Sequence, residues 1–152
     1  MRVNDYVTLF RLARRRLRSE RDYRELQSFQ SGILSRYLRR FGIEFREKHM
    51  LDVGSGIGGY SLEMAKLGAK VLSLDLSAPT YPLARGQDAV VANALAIPLA
   101  RESVDFVFCA SLIEHVSHPE RLLAEIERTL KRGGHCYLSF PPFYGPVAVS
   151  YT

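Results

Sequence analysis

The residues best suited to holding a ligand lie in one short stretch after His49. Gly54, Gly56 and Gly59 match the pattern G-x-G-x-x-G directly after an apolar run. Glycines let a ligand approach the backbone closely, and unpaired N–H groups at the start of a helix favour polar or anionic groups. The stretch therefore predicts a site for a nucleotide-like ligand, with a tight strand-to-helix turn as the purely structural alternative.

Two carboxylates accompany this loop. Asp75 lies 21 residues after Gly54, at the end of the second predicted strand, where an acid can accept hydrogen bonds from ribose hydroxyls. Asp52 lies inside the first predicted strand, where a dinucleotide site usually has an apolar residue because the diphosphate is already anionic. A carboxylate at this position favours a ligand that carries a cation, such as an ammonium or sulfonium group.

Strands must alternate with helices to bring these residues together. Apolar runs and helical periodicity predict strands at His49–Val53, Lys70–Leu74, Ala89–Ala92, Val104–Cys109 and His135–Phe140, and helices at Gly58–Leu67 and Pro119–Leu130. This order predicts an α/β fold, a Rossmann-like three-layer α/β/α sandwich with a mostly parallel sheet. Within Ser77–Asp88 we expect only a short or irregular helix, because Pro79 and Pro82 interrupt it.

Composition places the chain among ordinary globular proteins. It has 152 residues, 47% of them hydrophobic and 24% charged, which suggests one domain with a sizeable core. No apolar run approaches the ~18 residues that span a bilayer, and no signal peptide is evident, so we expect a cytoplasmic protein. The sequence ends 12 residues after Phe140, and we expect five strands because the C-terminal strands are missing.

The basic charge belongs to the front of the chain. Residues 1–48 carry 13 basic side chains against six acidic ones, whereas residues 49–152 carry eight against ten. We therefore divide the chain into a basic N-terminal helical extension, 1–48, and a binding core, 49–152. Apolar residues recur at helical spacing in the extension (Tyr6, Leu9, Phe10, Ala13 and Leu17, then Tyr23, Leu26, Phe29, Ile33, Leu34, Tyr37, Leu38 and Phe41). This spacing predicts core positions, while a run of arginines from Arg11 to Arg18 predicts a solvated face of a lid or scaffold helix. Contact with nucleic acid, with a membrane surface or with an acidic substrate is the alternative for these arginines, but no aromatic stacking platform for nucleic acid accompanies them.

Four motifs in order carry a family resemblance: the glycine loop, Asp75, the sequence C-A-S-L-I-E-H-V at 109–116 and L-K-R-G-G at 130–134. From about Leu51 to Phe140 the chain resembles a class I S-adenosylmethionine-dependent methyltransferase, most closely the broad small-molecule group with an L-E-H-V-type motif after strand four. The resemblance implies methyl transfer from S-adenosylmethionine to a small-molecule or glycan-like acceptor.

The resemblance also implies roles for individual residues. Asp52, Gly54, Ser55 and Gly56 would line the methionine and ribose part of the cofactor, and Asp75 would accept both ribose hydroxyls. The remaining positions are Leu76 on the adenine ring, Asn93 and Ala94 near the adenine amino group, and Ala110 and Ser111 near the methionine end. Asn93 stands where the family often has Asp, so this contact should be weaker.

His115 is the candidate general base, because it is the only histidine in the predicted edge motif; a structural role in the loop is the alternative. Some relatives of the resembled group bind a divalent cation with acids in this motif. Here Glu114 and His115 remain but Ser111 replaces the further acid, so we predict no metal. The motif Ser139–Tyr144 is interpreted as an apolar turn near the site.

Three functions stay open at this point. The first is a methyltransferase; the second is an inactive cofactor-binding module or partner subunit, which could form homo- or hetero-oligomers through an exposed sheet edge. The third, a nicotinamide oxidoreductase, is disfavoured by Asp52 and the later motifs.

Overall fold

The computed structural model describes residues 3–140. Two helices, α1 (Val3–Arg15) and α2 (Glu20–Arg39), precede an alternation of strands and helices. The strands are β1 (His49–Val53), β2 (Lys70–Asp75), β3 (Gln87–Val91), β4 (Val104–Ala110) and β5 (Leu130–Ser139); the further helices are α3 (Gly59–Lys66) and α4 (Pro119–Thr129). The five predicted strands and the helices predicted at Gly58–Leu67 and Pro119–Leu130 are present; apart from the start of β5, their bounds lie within about two residues of those expected.

All strand pairs of the sheet are parallel, in the order β3-β2-β1-β4-β5. Asp52 in β1 pairs with Ser73 in β2 on one side and with Phe108 in β4 on the other. The chain adds β2 and β3 on one side of β1 and then crosses to β4 on the other side. In open α/β sheets, ligands bind at such a reversal, beyond the carboxyl ends of the strands.

The two faces of the sheet bury different residues. On one face Leu51 and Val53 of β1 pack with Leu122 and Ile126 of α4. On the other face Met50 packs with Met64 and Ala65 of α3, and with Val71, Phe106 and Phe108 of the neighbouring strands. The predicted three-layer α/β/α fold is confirmed, and the alternation of β1 directs Asp52 to the α3 face.

The crossover from β2 to β3 differs from expectation. Residues 76–86 contain no helix, so the expected short or irregular helix is wrong. Pro79 and Pro82 lack backbone donors, and Tyr81 between them is buried beside the glycine loop instead. The segment is held by side-chain packing rather than by helical hydrogen bonds.

The start of β5 also differs. Residues 130–134 join the strand, which was expected to begin at His135, with a register shift between the pair Val104–Leu130 and the pair Phe106–His135. Gly133, with φ at +75°, accommodates this bulge. β5 is the outermost strand of the described sheet on the β4 side.

Of the two N-terminal helices, α2 packs on α3 through polar contacts, and α1 packs on α2. Ser28 donates to Glu63 Oε2 at 2.9 Å, and the Tyr60 hydroxyl donates to Gln30 Oε1 at 3.1 Å. The buried positions of α2 are Leu26, Ser31 and Ser35. The two serines do not hydrogen-bond to α3: Ser35 Oγ donates to Gly32 O of its own helix at 3.0 Å, and Ser31 Oγ has no partner within the described chain.

Consequently, the aromatic periodicity of the extension does not mark its buried face. Tyr6 and Phe10 of α1 are 60% and 66% exposed, and Tyr23 and Tyr37 of α2 are 41% and 55% exposed. Leu12, which lies outside the predicted apolar pattern, is the one residue from position 4 to position 15 that is buried. The prediction of core positions at Tyr23 and Tyr37 is therefore wrong.

Candidate functional site

The glycine loop runs from the end of β1 to the first residue of α3. Gly54 and Gly58 have φ values of +74° and +72°, which favour glycine. A Cβ on Gly54 would lie 3.1 Å from the side chain of Leu112, in the segment after β4, and a Cβ on Gly58 would overlap the ring of Tyr81. The loop thus lies between the segment that follows β4 and the crossover that follows β2.

Five backbone donors of this loop are already engaged within the protein. Gly54 N and Ser55 N donate to Leu74 O at 2.8 and 3.1 Å, and Gly58 N donates to Ser55 O at 2.9 Å. Two donors bond to side chains: Gly56 N to Asp75 Oδ2 at 2.8 Å and Gly59 N to Gln27 Oε1 at 3.2 Å. The expectation of unpaired N–H groups at the helix start is therefore wrong for Gly59. A diphosphate would have to displace these acceptors, so the loop is poorly suited to a dinucleotide.

Asp75 connects the end of β2 to this loop. Its Oδ2 accepts from Gly56, and its Oδ1 accepts from the Ser77 N–H at 3.2 Å. The residue is half-buried, and each carboxylate oxygen has a second lone pair available. The hydrogen bonds from the chain fix the carboxylate in place while leaving it able to accept from two ligand hydroxyls.

Asp52 lies beneath the loop and is 4% exposed. Ser61 Oγ donates to its Oδ2 at 2.5 Å. Burial raises the pKa of Asp52 to about 6; the hydrogen bonds from Ser61 lower it in part, and the charge of Asp75 raises it further. The carboxylate is therefore mostly ionised at neutral pH and gives the underside of the loop a negative charge.

A chain of buried hydrogen bonds extends from Asp52 across the sheet. Ser73 Oγ of β2 donates to Ser61 Oγ at 2.8 Å, and Gln87 Nε2 of β3 donates to Ser73 Oγ at 3.1 Å. All of these side chains are at most 6% exposed. Sequence reasoning missed Ser61, Ser73 and Gln87; the available signal was the polar Ser73 within the otherwise apolar centre of β2, V-L-S-L at 71–74.

The segment after β4 forms the opposite wall. Ala110 ends β4 half-buried, and the exposed Ser111 has φ at +53° and donates its N–H to Ser139 O at 2.8 Å. Ile113–His115 is a short 3-10 turn. The imidazole Nε2 of the exposed His115 lies 3.9 Å from Glu114 Oε1.

The sequence did not reveal that the side chain of Glu114 is buried. Its side chain is only 8% exposed, and within the described chain its buried Oε2 has no hydrogen-bond partner. The charges of Asp52 and Glu114 both act on Cys109, whose pKa is raised to about 12 chiefly by burial. Two buried carboxylates therefore lie near the carboxyl ends of β1 and β4, where a cationic or N–H-bearing ligand would complement them.

The predicted adenine contacts lie along the ends of β2 and β3, whose residues Asp75 and Val91 are paired. Leu76 is 72% exposed. Asn93 is exposed, and its Oδ1 accepts from the Leu95 N–H at 2.8 Å, whereas Ala94 is buried in the core on the α4 face. The structure thus brings Asp75, Leu76 and Asn93 to one edge, while the methyl of Ala94 faces the core.

Two sequence interpretations concern residues outside this edge. Of the motif Ser139–Tyr144, residues 141–144 lie outside the described residues, and Phe140 is 60% exposed. Among residues 3–140 no three His, Cys, Asp or Glu side chains are grouped so that they could hold a metal ion. The absence of a metal remains a prediction.

Comparisons with known proteins agree in pointing to one family. A family profile described as "Methyltransferase domain" matches residues 51–138. The biotin biosynthesis bifunctional protein BioHC of Cellvibrio japonicus is 31% identical over 122 residues, which cover 77% of this chain and 24% of that protein. The ubiquinone biosynthesis O-methyltransferase of Cupriavidus pinatubonensis is 38% identical over 104 residues, covering 60% and 41%.

Solved structures give the same result. The phosphoethanolamine N-methyltransferase 2 of Haemonchus contortus, in complex with phosphomonomethylethanolamine and S-adenosylhomocysteine, superposes with a TM-score of 0.58 at 29% identity, covering 66% of this chain and 26% of that chain. The chain thus spans less than half the length of each of these three relatives. No helix within residues 3–140 has the length and apolar character needed to cross a bilayer.

Proposed function

The chain belongs to the class I S-adenosylmethionine-dependent methyltransferase family, and from this membership we propose that it transfers a methyl group from S-adenosylmethionine to a small-molecule or glycan-like acceptor in the cytoplasm. The observation that carries the proposal is the position of two carboxylates, Asp75 and Asp52, at and beneath a loop in which five backbone donors are already engaged. Such a site suits a cationic, phosphate-free nucleoside.

The charges of the buried carboxylates indicate which cofactor this site can hold. Glu114 Oε2 is buried without a partner in the described chain, and Asp52 is mostly ionised at neutral pH. An ammonium or sulfonium group nearby would compensate both charges. An anionic diphosphate would add to the negative charge, so these carboxylates fit S-adenosylmethionine better than a nicotinamide dinucleotide.

Asp75 would accept hydrogen bonds from the two ribose hydroxyls, using the lone pairs that are not taken by the N–H groups of Gly56 and Ser77. Leu76 offers an exposed apolar surface to the adenine ring. Asn93 Oδ1 already accepts from Leu95 and has one further lone pair for the adenine amino group. Asp52, Gly54, Ser55 and Gly56 would border the ribose and methionine, and Ala94, Ala110 and Ser111 would complete the walls.

When bound, the cofactor supplies an electrophilic methyl group on a sulfonium. The contribution of the protein is alignment of the acceptor nucleophile with that methyl, which can account for several kcal/mol of the barrier. His115, on the 3-10 turn after β4, is exposed at the same edge and would take a proton from an acceptor that arrives protonated.

We also propose that residues 1–48 form an extension that supports the loop of the core, 49–152. Gln27 of α2 accepts from Gly59, and a Cβ on Gly59 would lie 2.7 Å from the carbonyl oxygen of Arg24. The first turn of α3 is therefore shaped by α2 as well as by its own residues. Homo- or hetero-oligomers through the outer edge of β5 remain a proposal for the partners.

Calorimetric titration with S-adenosylmethionine and with NAD tests the cofactor. We expect saturable binding of S-adenosylmethionine and none of NAD; the reverse result would overturn the proposal. Transfer of a labelled methyl group from the cofactor into small molecules of a cell extract then tests catalysis. Binding without any transfer would identify an inactive cofactor-binding module instead of an enzyme.

A further inference from the structure

A cleft of about 720 Å³ opens between α1, α2 and α3, and its lining includes Tyr81, whose ring packs against Gly58 of the glycine loop. Five cationic side chains line it, namely Arg11, Arg21, Arg24, Arg36 and Lys66. Glu25 and Glu63 are its carboxylates, so the lining carries an excess of three positive charges. The residues assigned to the cofactor do not line this cleft.

Several of these cations have no carboxylate to neutralise them. Lys66 pairs with Glu63 at 3.3 Å, and Arg36 lies 3.6 Å from Asp5. Within residues 3–140, Arg11, Arg21 and Arg24 form no ion pair with a carboxylate. Like charges gathered in a concave site raise its potential and attract an anion.

The floor of the cleft is apolar and buried. Leu12 is 3% exposed and Tyr81 is 6% exposed, and Phe29, Leu62 and Pro82 complete the wall. The guanidinium of Arg24 lies over the Tyr81 ring, with its Cζ 5.6 Å from the ring centroid. A volume of this size is typical of a small-molecule site, and the seven charged side chains of the lining favour a charged ligand.

We propose that this cleft binds a small organic molecule that carries a phosphate group. Arg11, Arg21 and Arg24 would hold the phosphate, because a planar guanidinium group can donate two parallel hydrogen bonds to two phosphate oxygens. The organic part would contact Leu12 and Tyr81. A concave site favours a small ligand over an extended polyanion, for which a stripe of charge along an open surface is expected.

The site is independent of the proposed methyl transfer, but it adjoins the glycine loop. Tyr81, which contributes to the floor, is the residue whose ring excludes a side chain at Gly58. Arg24, on the rim, places its carbonyl oxygen against Gly59. A ligand in the cleft therefore contacts residues that also shape the loop.

Phenyl phosphate is the probe, and its dissociation constant is measured by calorimetry on the full chain. We expect saturable binding that the double substitution Arg11→Gln with Arg21→Gln weakens at least tenfold. The matched control, Arg14→Gln with Arg18→Gln, removes the same charge from the same segment outside the cleft. We expect it to change the dissociation constant less than twofold.

Equal losses in the two double variants would show unspecific charge attraction and overturn the proposal, as would the absence of saturable binding. Equal affinity for inorganic phosphate and phenyl phosphate would overturn the assignment of an organic ligand. Tighter binding of a single-stranded RNA oligonucleotide or of phosphatidylserine vesicles, lost in the cleft variant alone, would assign the cleft to a macromolecule or membrane instead.

Thermal unfolding of each variant checks its fold. If the cleft variant unfolds, the double substitution Arg11→Lys with Arg21→Lys replaces it, because it keeps the charge but not the guanidinium geometry. We then expect the affinity for phenyl phosphate to fall at least threefold. An unchanged affinity would overturn the role of the guanidinium groups. Titration with S-adenosylmethionine on the same samples separates the two proposals, because its failure would leave the phosphate result unchanged.

Discussion

The carboxylate of Asp75 accepts a hydrogen bond from the backbone N–H of Gly56 at 2.8 Å, which connects the end of β2 to the glycine loop after β1. The same side chain also accepts from Ser77. One residue thus fixes the loop on one side and the start of the β2–β3 crossover on the other. An acid at this position orders the site as well as offering acceptors to a ligand.

Replacing Asp75 is therefore expected to weaken cofactor binding. Asp75→Ala should reduce the affinity for S-adenosylmethionine about 5- to 150-fold, since hydrogen bonds left unmade in a partly buried site cost about 1–3 kcal/mol. Asp75→Asn, which retains one acceptor, should lie between this variant and the wild type. Calorimetric titration provides the measurement, with Asp88→Ala on the exposed side of β3 as the control. Unchanged affinity in Asp75→Ala would mean that the ligand binds elsewhere.

Two glycines of the loop should respond differently to alanine. Both Gly56 and Gly58 have positive φ, so each substitution strains the backbone by about 1 kcal/mol. A Cβ on Gly56 meets no atom within 4 Å, whereas one on Gly58 overlaps the Tyr81 ring. Gly58→Ala should therefore lower the free energy of unfolding by a further ~1–3 kcal/mol.

Denaturant unfolding of both variants measures this difference. Adding Tyr81→Ala to Gly58→Ala should recover part of the loss, because the obstructing ring is gone. A double-mutant cycle without coupling between positions 58 and 81 would contradict the packing described.

The buried Asp52 should make stability depend on pH. Its pKa rises from an ordinary 3.8 to about 6 in the folded chain, so the folded state binds the proton more tightly than the unfolded state. Ionisation of Asp52 therefore lowers the free energy of unfolding as pH rises from about 4 to 6, by about 3 kcal/mol in total. Below about pH 4 the carboxyl is protonated in both states and has no such effect.

Asp52→Asn removes this titration. The free energy of unfolding of the variant, relative to that of the wild type, should increase between pH 4 and pH 7 and then stay constant. Urea unfolding at several pH values measures the difference. A difference that does not vary with pH would mean that Asp52 is not buried as described. At pH 7.5 the variant should bind S-adenosylmethionine more weakly, since the negative charge beneath the loop is lost.

Gln27 should contribute to the stability of the loop from outside the core. Its Oε1 accepts from the Gly59 N–H at 3.2 Å, so Gln27→Ala leaves this donor at the start of α3 without its partner. We expect a loss of about 1 kcal/mol in the free energy of unfolding and a weaker affinity for S-adenosylmethionine. Gln27→Glu keeps the acceptor and places a negative charge at the helix N-terminus, so it should retain the stability of the wild type. Equal losses in both variants would exclude the hydrogen bond as the cause.

Much of the core could be predicted from the sequence because its signals are local. Apolar runs indicate the strands, the spacing of Gly54, Gly56 and Gly59 indicates the loop, and Asp75 marks the end of β2, all through short-range steric and polar preferences. The order of these elements then implied a parallel sheet covered on both faces, and the structure confirms it. The two prolines of the β2–β3 crossover also predicted a weak helix, although its complete absence was not foreseen.

The tertiary structure alone decided which side chains are buried and which are free to act. Periodicity placed Tyr23 and Tyr37 in the core, but α2 lies on the polar start of α3 and buries Ser31 and Ser35 instead. The partner of Gly59 lies 32 residues earlier in the chain, at Gln27, so no local pattern reveals it. Likewise, a run of arginines looks uniform in the sequence, yet only Arg11 of that run reaches the cleft, because the packing of α1 against α2 selects one face. Hydrogen bonding and burial depend on which surfaces meet, and contacts between distant segments determine that.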